Sequence, residues 1–143
     1  MRTPVKTFKE FIVEGIFSIH NGVVLHRHLV RHLAKDGNIE RVAREFRNKK
    51  SVIIPAKDIH KSLPSGLHIE LSAAKHDHPD TFVGGEMAPL EKNTNGEKYK
   101  MGLTMNTPSF EPGHLLKQFS SPEMARVVAH EHEHMVHHQQ ETK

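Results

Sequence analysis

Apolar residues recur every three or four positions near both ends of this chain, and give way to short, alternating runs in its middle. The capping box Thr7-Phe8-Lys9-Glu10, followed by Phe11 and Ile12, predicts a short amphipathic helix that Gly15 ends. Val24, Leu25, Leu29, Val30 and Leu33 predict a second helix from about Val23 to Ala34, stopped at Asp36-Gly37-Asn38. Ile39, Val42, Ala43 and Phe46 form the buried stripe of the next, with Arg and Lys outward.

The period then shortens. Residues 51–55 and 67–71 read as strands. Phe82 to Pro89 and Lys98 to Met105 read as hairpin arms around the Asn95-Gly96 turn, and Gly84-Gly85 marks a bulge or a close backbone approach. Asp77 to Asp80 and Asn106 to Gly113 read as loops. Ser120-Ser121-Pro122-Glu123 then caps a helix that runs to about Gln139 without Gly or Pro. This order predicts an α+β domain: N-terminal helices, a small antiparallel or mixed sheet, and a C-terminal helix. Residues 1–15 are set apart as an amphipathic leader, and 16–143 as one domain.

Composition narrows the chemistry. Without cysteine, neither a disulfide framework nor a Cys-ligated metal site can form. No apolar run reaches the ~20 residues that cross a bilayer, and no signal-peptide pattern opens the chain, so an intracellular or virion location is expected. Net charge is +3. Arg27, Arg31, Arg41, Arg44, Arg47, Lys49 and Lys50 have few base-reading or aromatic companions, so they read as a solvated face and nucleic acid is not the expected partner. Histidine is another matter. Fourteen of 143 residues are His, the commonest metal ligand, so the spacing of these rings needs inspection.

The last helix contains His130-Glu131-His132-Glu133-His134, an H-E-x-x-H pattern. Residues four apart share a helical face, so His130 and His134 can grip one divalent ion, with zinc expected, at ~2.0–2.1 Å. Glu131 projects beside it, where it can take a proton from a water whose pKa zinc lowers to ~7. At 100° per residue, Met124, Val128 and Met135 cluster on one side, and His130, His134, His137 and Glu141 on the adjacent one.

The pattern resembles the zincin-like metallopeptidases. That resemblance implies a zinc-dependent peptidase acting on peptide or protein, with His130 and His134 as metal ligands and Glu131 as general base. It also implies a cleft-lining strand before the helix, for which Lys98 to Met105 is the expected counterpart. The sequence departs from the family at Glu133, a charged residue inside the motif. The same five residues also fit the inverted pattern H-x-x-E-H, with Glu133 as base. Glu131 is preferred, because it faces the core side of the ligands. Nine residues follow His134, and His138 lies ~12 Å along the axis from His130. The third ligand is therefore expected from His76, His78, His114, Glu86 or Glu111, from another subunit, or from solvent.

Lys6 to Ile12 resembles the start of many proteins of large contractile-tailed phages. That resemblance implies phage origin and capsid or other virion partners. Ile12-Val13-Glu14, followed by Gly15, fits the Ile/Leu-x-Glu pattern cut by the prohead protease of such phages. An ordinary amphipathic helix packed on the domain is the competing reading, and a virion structural or interaction protein with a non-catalytic metal site is the alternative function. His28 and His32, four apart, form a second candidate pair, although Arg27 and Arg31 beside them repel a cation. His76-Asp77-His78 is a third, in a solvated turn.

Overall fold

The computed structural model describes the backbone of residues 8–63, 66–75, 82–89 and 99–141. Side chains are described within those ranges from residue 21 onward, except 82, 89 and 138–141. The Asn95-Gly96 turn and His76-Asp77-His78 lie outside the described residues, as do the side chains of the leader. The elements in order are α1 (Phe8–Leu33), α2 (Asn38–Arg47), β1 (Val52–Pro55), α3 (Ala56–Ile59), β2 (Leu67–Lys75), β3 (Phe82–Pro89), β4 (Tyr99–Thr107), α4 (Pro112–Phe119) and α5 (Pro122–Glu141). The fold is α+β with a mixed sheet. Among the described residues no helix is long and apolar enough to cross a membrane.

The strands stand in the order β1-β2-β4-β3. β1 pairs antiparallel with β2, β2 parallel with β4, and β3 antiparallel with β4. The expected hairpin arms are thus adjacent, with Met87 opposite Met101 and Gly85 opposite Leu103. One face of the sheet supplies Leu67, Ile69, Leu71, Met101, Leu103 and Met105 to the core. The other carries Glu70 and Lys100, joined by an ion pair of 3.4 Å, and the exposed Ile53. That alternation is what a sheet covered by helices on one side requires.

Three expectations about helices need correction. α1 runs unbroken through Gly15, since a lone glycine costs a helix about 1 kcal/mol and does not by itself stop one. α4 occupies part of the stretch read as a loop. Pro112 sits in its first turn, where a missing N–H costs nothing, and Leu115 and Phe119 are fully buried. The cap of α5 is displaced by one residue from the expected box: the hydroxyl of Ser121, not Ser120, accepts the Met124 N–H at 3.2 Å, and Ser120 turns back to donate to Lys117 O.

α5 packs on β3 and β4 and runs along α1. Two glycines set its position. A Cβ on Gly85 would lie 2.6 Å from Val127 Cγ1 and 3.1 Å from Glu131 Cγ, so β3 meets α5 through bare backbone, the close approach that the Gly-Gly pair foreshadowed. Gly22 does the same for α1, where a Cβ would come 2.6 Å from Ala129 Cα.

Candidate metal centre

Around α5 the motif residues separate by face. Met124, Val128 and Met135 are buried, as the wheel places them. His130 and His134 are exposed. Their Nε2 atoms lie 2.9 Å apart, with ring centroids at 4.4 Å and planes nearly perpendicular. Without metal, one Nε2–H donates to the lone pair of the other. A bridging ion would take that proton's place once the donor ring moves its proton to Nδ1.

The spacing can be set against zinc chemistry. Two nitrogens 2.9 Å apart, each ~2.05 Å from an ion, subtend about 90° at the metal. A tetrahedral angle needs about 3.35 Å, an opening of about half an ångström, which small χ adjustments on two exposed side chains supply. The donor pair fits a zinc ion.

These rings border a small hollow of about 190 Å³, lined by His130, Glu133, His134 and His137. Glu133 Oε1 lies 3.9 Å from His137 Nε2, an ion pair when His137 is protonated. Glu131 is on the core side, as expected, but only 7% exposed, its stem over Gly85 of β3, and it does not line this hollow. His132, 8% exposed, faces a separate cavity shared with Asn21, Leu25 and Ser62. Glu133, whose side chain is 41% exposed, is the carboxylate that lines the hollow with both rings.

The third-ligand candidates separate in the same way. Glu86 opposes Gly102 and belongs with the sheet face turned away from α5, so it cannot reach the imidazoles. His114 lines a different hollow with Lys117 and Glu123. Glu111 stands exposed where α4 begins. Among the described residues no group of three or more His, Asp or Glu is arranged to hold a metal. The expected cleft strand also moves. β4 is interior to the sheet, because Tyr99, Met101, Leu103 and Met105 are buried between neighbours on both sides. Among the described residues the strand at the end of the order beside α5 is β3.

His28 and His32 do not converge on an ion. His28 stacks on His60 instead, with centroids 4.1 Å apart and planes 19° apart. Burial lowers the His28 pKa below its ordinary 6.5, and the charges of His60, Arg31 and Arg27 lower it further. Burial and then Arg41 lower that of His32, with Asp58 opposing. The folded chain therefore binds fewer protons at these rings than the unfolded chain does. Their contribution to stability is complete above pH 6.5 and is lost as pH falls through the lowered folded values. Melting temperature should accordingly drop between pH 7 and pH 5, and His28→Phe should shrink that drop; an equal drop in the variant would refute the assignment.

Comparison with family models, with curated proteins and with solved structures finds no match to this chain.

Proposed function

We propose that α5 is the metal-binding helix of a small zinc-dependent hydrolase, with peptide or protein as substrate. One observation carries the reading: the two imidazoles of the motif converge, Nε2 to Nε2, at a solvent-facing position. Bound zinc would supply Lewis acidity and bring a coordinated water's pKa to ~7. His130 and His134 would hold the ion, with further donors to come from solvent, substrate or residues outside the described ones. Glu131, between the ligand pair and β3, would be the base that takes the proton from such a water. Among the described residues β3 ends the strand order, and its outer edge offers backbone N–H and C=O groups on which an extended peptide can add as a further strand. The resemblance of the leader to phage proteins adds virion partners to this proposal, in the host cytoplasm or the particle.

A second reading rests on Glu133, the carboxylate that shares the hollow with both rings. Here the inverted pattern holds, and Glu133 serves as ligand or base while Glu131 only packs beneath β3. If the metal is closed off by ligands, the site is structural and the chain is a virion or interaction protein.

The direct test is elemental analysis of the purified full chain together with zinc titration. About one zinc per chain is expected. His130→Ala and His134→Ala should each weaken zinc binding by at least 100-fold, since a lone imidazole is left, and chelator should lower the wild-type melting temperature without affecting either variant. A wild-type chain that neither carries nor takes up zinc ends the proposal.

A further inference from the structure

A hollow of about 880 Å³ lies away from α5 and shares no residue with the imidazole site. It opens where the end of α2, the start of β1 and the end of β2 meet Phe110, and its size falls within the ~300–1,000 Å³ of small-ligand sites. Arg47, Lys49, Lys50 and Lys75 border it, all exposed. Its one carboxylate, Glu70, is already engaged: Lys100 Nζ lies 3.4 Å away and the Ser51 hydroxyl donates to it at 3.3 Å. Among the described residues four cations thus surround a cavity whose one carboxylate is partnered, and the field of these groups favours a multiply charged anion.

An aromatic wall completes the hollow. Phe46 is buried, and the partly exposed Phe110 ring leans on it with centroids 5.9 Å apart. An Arg47 guanidinium nitrogen donates to Phe110 O at 3.4 Å, which ties the guanidinium to the ring's own backbone. Guanidinium and ammonium groups around a partly exposed ring suit a ligand with phosphates at one end and a flat base at the other.

The backbone adds an independent mark. α2 closes in a Schellman turn, with Lys49 N–H bonded to Phe46 O at 3.0 Å and Lys50 N–H to Glu45 O at 2.9 Å. The residue after the cap therefore takes a left-handed conformation, and Lys49 occupies it at φ 58°. Glycine is the residue that adopts this conformation without steric cost. Here a lysine bears the strain and sets a cation at the lip of the hollow, a pattern found where function opposes local stability.

We propose that this hollow binds a nucleotide, its phosphates held by Arg47, Lys49, Lys50 and Lys75 and its base laid on Phe110. The chemistry is that of a free mononucleotide or of one nucleotide in a single strand, and the test separates the two. Fluorescence anisotropy of the full chain would use a labelled ATP analogue and a labelled ten-residue oligo-dT, at 50 and 200 mM salt. Submillimolar binding of the ATP analogue, displaced by pyrophosphate, is expected. Oligo-dT binding at least tenfold tighter, with a steep loss at the higher salt, would make a strand the ligand; equal or weaker binding would make it the free nucleotide.

Lys49→Gly gives the sharpest arm, because two opposite signs are expected. The melting temperature should rise by a few degrees as strain is relieved, while affinity falls fivefold or more. Lys75→Gln should weaken binding similarly, and Phe110→Leu should weaken the nucleotide more than it weakens pyrophosphate. The proposal is overturned if neither probe binds below 1 mM, or if Lys49→Gly and Lys75→Gln leave affinity unchanged.

Discussion

Glu131→Gln is expected to lower zinc-dependent peptide hydrolysis by about 10²–10⁴-fold while zinc content stays at the wild-type value. The amide keeps the shape that packs over Gly85 and removes the proton acceptor. Glu131 does not line the hollow of the imidazoles, so ligand geometry should be unchanged. Glu133→Gln is the control. Under the proposed reading it should cost less than tenfold, because its carboxylate faces His137 across 3.9 Å on the side away from β3. The reverse ranking would transfer the base to Glu133 and with it the inverted pattern. Zinc retained by both variants with no turnover even in wild type would identify a structural site. Rates should be read against chelated protein, so that a contaminating peptidase is not credited to this chain.

The need for both substitutions shows what a wheel can and cannot decide. At 100° per residue, Glu131 and Glu133 flank the His130–His134 pair about equally, some 80° to either side. Spacing from the ligands therefore identifies two candidate carboxylates, and only the side on which the apolar stripe lies ranks Glu131 first. The tertiary structure separates them by burial: β3 approaches through Gly85 over Glu131, which is buried, whereas Glu133 lines the hollow with both imidazoles. The apolar stripes were legible from spacing alone. Ile39, Val42, Ala43 and Phe46 are all buried because one period fits one face, and no partner needs to be known. Strand order was out of reach, since β4 inserts between β2 and β3 through long-range pairing that no local pattern encodes. α4 was hidden by its own punctuation: Pro112 and Gly113 read as loop, yet at a helix start they break no hydrogen bond. The basic residues after Phe46 are exposed, as a solvated face requires, and what the sequence did not show is that Lys75 and Phe110 border the same hollow.

Gly22→Val should destabilise the fold by about 3 kcal/mol, read as a melting temperature lower by roughly 10 °C. Gly22 is buried where α1 crosses α5, and a Cβ there would lie 2.6 Å from Ala129 Cα and 3.2 Å from Ala129 Cβ. The nearer obstacle is backbone, so the helices themselves must separate. Gly22→Ala should cost less, because better helix propensity returns up to about 1 kcal/mol of the overpacking. Ala129→Gly should fail to rescue either variant, since removing the methyl leaves the Cα in place; rescue would mean that the crossing is looser than it is described here. The functional consequence follows from which contacts lie within α5 and which lie between elements. His130 and His134 are one turn apart on the same helix, so zinc affinity of the folded fraction should hold in Gly22→Val. Glu131 depends on how α5 seats on β3, and hydrolysis should therefore fall further than zinc binding. Equal losses of both would place the metal and the base under the same interhelical constraint, and would remove the reason for assigning the base to the sheet side.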